Sequence, residues 1–143
     1  MAIKQLSIFL ENKPGRLAEV TDIIGDSGID VKALSIADST DFGISRLIVD
    51  DPDKAYPILA EKGLVVSLTD VIAIGIPDYP GSSAKIIGAL AKNGIDLEYM
   101  YAFVSRTQDE AYAILRTKDN EKAADVLNNT EAKILSVAEI YNM

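Results

Sequence analysis

A Pro-Gly pair that opens a helical pattern occurs twice in this chain, at Pro14-Gly15 and at Pro80-Gly81. Each pair is followed by a Gly-Ile-Asp triplet, which is Gly28–Asp30 in the first copy and Gly94–Asp96 in the second. Both landmarks recur at an offset of 66 residues, from Gly15 to Gly81 and from Gly28 to Gly94. Recurrence of glycines, turns and helix faces at one offset indicates an internal duplication. The 143 residues would then divide into two very small domains.

The spacing of apolar residues predicts the order strand, helix, strand, strand, helix, strand in both halves. The predicted strands are 3–10, 31–37, 44–49 and 64–68, then 71–76, 97–104, 111–117 and 133–141; the predicted helices are 15–26 and one opening at Asp51-Pro52, then 82–92 and 119–128. Later landmarks drift to an offset of 68, as from Asp53 to Glu121, which two extra residues in the second hairpin across Ser105–Asp109 would explain.

This order predicts an α+β protein in which a ferredoxin-like βαββαβ unit is repeated twice. Each unit would be an antiparallel sheet with its helices on one face. The predicted domains are 1–68 and 69–143. Almost no linker separates them at Thr69-Asp70, so the two repeats are expected to pack together. Pro57 leaves two alternatives for the helix that opens at Asp51-Pro52: it is bent, or it begins later.

Composition excludes several classes of function. Fourteen basic and 22 acidic residues give a formal charge of −8, which disfavours nucleic acid and anionic membranes as partners. Cysteine and histidine are absent, so thiol catalysis and the commonest general base and metal ligand are absent too. No apolar run is long enough to span a membrane, and a cytoplasmic location is expected. The acids at Asp50, Asp51 and Asp53 are better explained as capping of a helix than as a metal site. No cofactor, metal or catalytic residue is predicted.

The two Pro-Gly loops are the best candidates for a binding site. Glycine lets the backbone approach a ligand, and the first amides of the following helix can bind a carboxylate without a cation. Asp78, beside the second loop, could accept hydrogen bonds from an ammonium group. Together these features suit an α-amino acid. A single such loop is better explained as an ordinary turn before a helix, and it is the occurrence of two in one register that favours binding.

The residues Asn12-x-Pro14-Gly15-x-Leu17-Ala18-x-Val20, with Gly28-Ile29-Asp30-Val31 after them, resemble the ACT domain. The second copy, from Ile76-Pro77-Asp78-Tyr79-Pro80-Gly81 to Asn93-Gly94-Ile95-Asp96-Leu97, is similar to the ACT repeats of aspartate kinases. The resemblance covers nearly the whole chain. It implies a regulatory module of amino-acid metabolism with the βαββαβ topology. It also implies that an amino-acid effector binds at the interface between two ACT units.

The resemblance further implies which residues bind. The loop of one unit would face the start of the second strand of its neighbour. The implied loop residues are Asn12, Pro14, Gly15, Arg16 and Leu17, with Asp78, Pro80, Gly81, Ser82 and Ser83 in the second copy; the implied facing residues are Ser27, Ile29 and Asp30, with Asn93, Ile95 and Asp96 in the second. Asn12 stands where the family commonly has Asp and carries no charge for an ammonium group, so Asp78 marks the better amine receptor. Arg16 could bind a ligand carboxylate, although a solvated surface arginine is the favoured interpretation.

Three aromatic residues, Tyr99, Tyr101 and Phe103, alternate along one predicted strand and so share a face. Leu34 and Ile36, the better core candidates of the equivalent strand, match the residues between them, which places the aromatics on the face away from the helices. An apolar patch there favours a homodimer interface. Packing against the chain's own flanking segments is the alternative.

The function that these observations favour is a non-catalytic regulatory module that binds an amino acid and acts on a partner, such as a metabolic enzyme, or through its own assembly. RNA binding is an alternative, because RNA-recognition domains share this topology and stack bases on aromatics, but the negative charge opposes it. A small ferredoxin-like enzyme is the third hypothesis, and no cluster of catalytic side chains supports it. A metal chaperone is excluded because soft ligands are absent.

Overall fold

The computed structural model describes residues 2–38, 41–104 and 109–143. Its elements are β1 (Ile3–Glu11), α1 (Arg16–Asp26), β2 (Val31–Asp38), β3 (Phe42–Val49), α2 (Pro52–Glu61), β4 (Val65–Pro77), α3 (Ser82–Lys92), β5 (Leu97–Phe103), β6 (Glu110–Thr117), α4 (Asn120–Leu127), β7 (Lys133–Ile134) and α5 (Val137–Tyr141). The residues Ser105–Gln108, predicted to form most of a hairpin turn, lie outside the described residues.

The chain divides into two compact units. The first unit is Lys4–Thr69, and the second is Asp70–Met143 together with the residues up to Ile3. The division falls within β4, so the strands predicted separately at 64–68 and 71–76 are one continuous strand. Polar residues at Thr69 and Asp70 interrupt the apolar pattern there without interrupting the extended backbone.

In the first unit, β1 and β2 flank β3, and all three strands are antiparallel. Leu6 lies opposite Leu47, and Ile8 lies opposite Ser45. Directly paired residues share a face of the sheet, and this face packs against α1 and α2. The core residues on this helix-facing side are Leu6, Ile8, Leu10, Val20, Ile24, Ile29, Leu47, Val49, Ala55 and Leu59.

The second unit repeats this arrangement. The strand β6 pairs antiparallel with β4 on one side and with β5 on the other, and β7 pairs with β4. Ile74 lies opposite Ala113, and Ile72 lies opposite Leu115. Because Ile74 is the equivalent of Ile8, this register makes Ala113 the equivalent of Ser45. The predicted class, an α+β fold with ferredoxin-like repeats, is confirmed.

The helix α2 resolves the alternatives that Pro57 left open. It begins at Pro52 and continues through Pro57, so a later start is wrong. The Asp51 side chain accepts a hydrogen bond from the Lys54 amide over 3.1 Å and thereby fixes the start. Pro57 has no N–H, so the carbonyl of Asp53, one turn earlier, lacks its usual helical hydrogen bond. Asp53 is exposed, so water can satisfy that carbonyl.

The edge strand β2 departs from expectation. Leu34 and Ile36 lie on the helix-facing side, because they pair with Leu47 and Ser45. They are nevertheless 43% and 52% exposed, so the prediction that they belong to the core is wrong. Alternation identified their face correctly, but it could not show that the sheet edge extends beyond the cover of the helices.

The end of the chain is the largest correction. The strand predicted at 133–141 is two residues long, Lys133–Ile134, and the helix α5 follows it. Ser136 begins this helix with a capping box, in which its hydroxyl accepts from the Glu139 amide and the Glu139 carboxylate accepts from the Ser136 amide. Two reciprocal bonds at the first turn stabilise a helix where apolar alternation alone favoured a strand.

The short helix α5 is joined by an ion pair to a residue on the open face of the second unit, the face away from α3 and α4. Gly75 pairs with both Tyr112 and Lys133, so the side chains of Tyr112 and Lys133 share that face. Lys133 forms an ion pair of 3.2 Å with Glu139 of α5. The ion pair joins α5 to a strand that presents Lys133 on that face, and Ile140 of the helix is buried.

Candidate functional site

The two predicted binding loops have the same backbone geometry. Gly15 and Gly81 immediately precede α1 and α3 in the left-handed conformation, with φ of 86° and 89°. An L side chain is strained at such angles, so glycine is the residue that these turns require. Neither helix start receives a side-chain cap, whereas Asp51, Asp119 and Ser136 cap α2, α4 and α5. The Arg16 and Ser82 amides donate to the Lys13 and Tyr79 carbonyls, so the next two amides of α1 and of α3 are the ones left for another acceptor.

The first loop borders a small cavity inside the first unit, with a volume of about 110 Å³. Three of the sequence-predicted residues line it, namely Asn12, Arg16 and Leu17. The remaining lining residues are Leu10, Glu11, Lys13, Ile36, Asp38, Gly43 and Ser45. The cavity thus combines a helix start with one edge of the sheet, and Pro14 and Gly15 shape the turn without lining it.

Ser45 is a residue of this cavity that sequence reasoning missed. It is fully buried, and its Oγ has no hydrogen-bond partner among the described residues. Ser45 faces the helices because it pairs with Ile8 and Ile36. The available signal was a serine between Ile44 and Arg46 at an inward position of an apolar strand, but that position becomes clear only with the register.

Charged side chains surround the entrance of the cavity. Lys13 Nζ lies 2.8 Å from Glu11 Oε2, and Arg16 lies 3.8 Å from Glu11 and 3.2 Å from Glu19. The hydrogen bond from Lys13, its charge and then the charge of Arg16 lower the pKa of Glu11. Arg16 is therefore held by two carboxylates. Asp38 lines the cavity from the end of β2 and supplies a second acid on that side.

The second loop has a different neighbourhood. Asp78 is exposed, and its amide donates to the Asp109 carbonyl over 3.2 Å. Tyr79 donates to Glu131 over 2.7 Å and accepts from Lys85 over 3.1 Å. These three side chains and the buried Ser82 line a cavity of about 300 Å³ in the second unit. Pro80 and Ser83 do not line it.

The predicted facing residues lie at the other end of the same helices. An 11-residue helix is about 16 Å long, so one unit does not bring its loop and its facing residues together. Ile29 and Ile95 point into the cores, where they are 5% and 8% exposed. Ser27 and Asn93 bond to carbonyls of the last helical turns; Asp30 pairs with Lys32, and Asp96 pairs with Lys118.

The aromatic residues of β5 lie on the open face of the second unit. Tyr101 pairs with Ile114, whereas the neighbouring Met100 pairs with Leu115 of the core. The rings of Tyr99 and Tyr101 stack with centroids 6.5 Å apart, and Phe103 lies 5.6 Å from Tyr112. All three predicted aromatics are half-buried. Their role in a homodimer stays a prediction.

Two other features are set aside by the geometry. Two cavities of about 420 Å³ lie in the second unit: none of the predicted site residues borders the one between β4 and α4, and Asn93 is the predicted residue that borders the other. Of the acids near α2, Asp51 caps the helix and Asp50 accepts from the Asp30 amide, and no group of acids suited to a metal occurs within 2–38, 41–104 and 109–143. In the same ranges, no helix is long and apolar enough to cross a membrane.

Comparison with known proteins places this geometry in a family. A family model described as an ACT domain pair matches residues 1–143. No match is found among curated protein sequences.

Solved structures with similar chains include protein BT0572 from Bacteroides thetaiotaomicron, which is 43% identical with a TM-score of 0.91 over 100% of this chain and 98% of that one. The ligand-free regulatory subunit of aspartate kinase from Thermus thermophilus is 18% identical, with a TM-score of 0.66 over 89% and 91%. The corresponding subunit from Thermus flavus is 21% identical, with a TM-score of 0.61 over 87% and 88%. At these identities the two kinase subunits show a shared fold.

Proposed function

This chain belongs to the family of ACT domain pairs, and on that premise we propose that it is a non-catalytic regulatory module that binds a small α-amino acid. Binding would change how the chain acts on a partner, such as a metabolic enzyme in the cytoplasm. The observation that carries the proposal is the cavity at the first loop, where the uncapped start of α1 meets an acid from β2.

The chemistry of this cavity suits both ends of an amino acid. The first amides of α1 and its dipole attract a carboxylate. Asp38 offers an acceptor for the ammonium group and thus supplies the charge that Asn12 lacks. Glu11 is less suited to that role because Lys13 already holds it. The sequence favoured the second loop because of Asp78, and the geometry supports the first loop instead.

The placement of a ligand between two repeats stays a prediction from the resemblance. So does the contribution of the facing residues Ser27, Asp30, Asn93 and Asp96, which one unit does not bring to its own loop.

Isothermal titration calorimetry with the standard amino acids tests the proposal. We expect one or a few small amino acids to bind with one site per chain. Asp38→Asn should weaken binding about tenfold or more, because it removes a charged acceptor. Asp78→Asn makes the same change of charge beside the other loop and should leave the affinity unchanged. If no amino acid gave a heat of binding, amino-acid binding would be refuted. If only Asp78→Asn lost affinity, the assignment of the site to the first loop would be refuted.

We also propose that the open-face aromatics of β5 form a homodimer interface. Half-buried rings on a sheet face are typical of surfaces that a second copy covers. Light scattering after size-exclusion chromatography should give twice the chain mass, and replacing Tyr99 and Tyr101 by serine should give the monomer. Phe9→Ser, which removes an exposed ring in the first unit, is the control and should stay dimeric. A monomeric wild-type protein at high concentration would exclude the interface.

A further inference from the structure

Ser45 carries a hydroxyl that the fold leaves without a partner. The side chain lies in the middle of β3, faces α1 and α2, and is 0% exposed. Its Oγ is the buried side-chain atom that finds no donor or acceptor among the described residues. A buried hydroxyl without a hydrogen bond destabilises a protein relative to an apolar group of the same shape. The position therefore keeps a group that folding alone disfavours.

The second unit shows that the fold does not need this hydroxyl. Its equivalent residue is Ala113, which lies opposite Ile74 as Ser45 lies opposite Ile8. Ala113 is buried in the core cluster of that unit. Alanine thus fills the same place in the duplicated fold with no polar atom to satisfy.

The location of Ser45 suggests what its hydroxyl is for. Ser45 lines the cavity at the first loop, and it is the residue with a hydroxyl group among those that border it. Leu10, Leu17 and Ile36 give that part of the cavity apolar walls. A rotation about χ1 is the only internal change that a serine needs to direct Oγ at a group in the cavity. A polar ligand group entering there would meet one hydrogen-bonding partner.

We propose that Ser45 is a specificity-determining residue of the first unit, and that this unit selects α-amino acids with a short, uncharged side chain ending in a hydroxyl or an amide. The inference rests on the proposed amino-acid binding and adds the class of side chain. A cavity of about 110 Å³ has room for three or four water molecules, hence for a side chain with as many heavy atoms. The carboxylate and ammonium groups would remain at the rim, on the α1 amides and Asp38.

Calorimetry with pairs of amino acids that differ by one polar group tests the selection in the wild-type protein. The pairs are serine with alanine, threonine with valine, and asparagine with leucine. The polar member of at least one pair should bind roughly 5- to 150-fold tighter, because its apolar counterpart leaves the buried hydroxyl unsatisfied. Equal affinities within every pair that binds would overturn the inference and leave amino-acid binding intact.

The variant Ser45→Ala separates a role in recognition from a role in folding. It should abolish the discrimination within each pair and raise the thermal midpoint of the ligand-free protein by about 2–6 °C, because an unsatisfied hydroxyl is removed. A lower midpoint with unchanged discrimination would mean that Ser45 is structural, and would overturn the inference.

Thr117→Val is the matched control. Thr117 is a buried hydroxyl in the second unit whose Oγ1 donates to Asn120 and accepts from the Asp119 amide, both over 3.2 Å. Its removal should lower the thermal midpoint and leave ligand discrimination unchanged. If no amino acid binds to the wild-type protein, the proposed function and this inference fail together, whereas binding without discrimination refutes the inference alone.

Discussion

The phenol of Tyr79 donates a hydrogen bond to Glu131 over 2.7 Å and ties the second Pro-Gly loop to the segment between α4 and β7. The same oxygen accepts from Lys85, whose Nζ also lies 5.1 Å from the centre of the tyrosine ring. The equivalent of Tyr79 in the first unit is Lys13, which bonds to Glu11 at the mouth of the cavity. The duplicated loops therefore use one position differently: one loop is fastened to its own unit, while the other keeps its charges at the cavity entrance.

The contact with Tyr79 should be visible in the titration of Lys85. The hydrogen bond to Tyr79, followed by the charges of Tyr79 and Glu131, raises the pKa of Lys85. A raised folded-state pKa stabilises the protein at all pH values below the unfolded pKa, and that contribution is lost as the pH rises through the folded value. Tyr79→Phe should thus lower the pKa of Lys85. The part of the free energy of unfolding that is lost as the pH rises above the usual pKa of lysine should then be absent from the variant.

NMR titration of the Lys85 side chain measures this change. Tyr112→Phe is the comparison, because it removes a phenol-to-carboxylate hydrogen bond of the same length, to Glu110, without contacting Lys85. An unchanged Lys85 titration in Tyr79→Phe would show that the hydrogen bond does not persist in solution.

The left-handed glycine of the second loop gives a prediction on stability. Gly81→Ala should destabilise the protein by about 1–2 kcal/mol, because φ is 89° although no atom lies near the added Cβ. Gly88→Ala, in the interior of α3 and equally open, should stabilise by about 0.5–1 kcal/mol. Urea unfolding of both variants measures the two effects. Effects of the same sign would contradict the assigned conformation of Gly81.

The two equivalent caps should contribute equally. Asp51 and Asp119 each accept a hydrogen bond of 3.1 Å from the amide three residues further on. Alanine at either position should lower the free energy of unfolding by about 1 kcal/mol. Asp125→Ala removes the same charge from the exposed side of α4 and should change stability by much less. Thermal unfolding of the three variants measures these changes. If Asp125→Ala were as destabilised as the two cap variants, the loss of stability would come from the removed charge and not from the cap.

Much of this fold could be predicted because its signals are local. The bounds of α3 follow from its apolar spacing, and the start of α2 follows from Asp51-Pro52. The end of the chain carries two conflicting local signals, because Ser136 and Glu139 have the spacing of a capping box while the apolar alternation over the same residues is typical of a strand. The exposure of Ile36 could not be predicted from the sequence, because it depends on how far the helices extend over the sheet.

The candidate site was predictable only in part. The loop residues Asn12, Arg16 and Leu17 come from one continuous stretch, and they line one cavity. Asp38 and Ser45 join them from β2 and β3, and nothing in the spacing along the chain indicates that proximity. Ile29 and Ile95 stay predicted ligand contacts, but the spacing along the chain could not show that their side chains close the core just after a helix.

The missing caps of α1 and α3 matter to anyone who would engineer this chain for heat resistance. A redesign that judges each helix by its cap would place Asp or Ser at Gly15 and Gly81, where φ is already unfavourable for a side chain. A side chain that did cap the helix would cause a further loss, because it would occupy the amides that the proposed ligand requires. A variant selected for its melting temperature alone would then have lost its ability to respond to an effector.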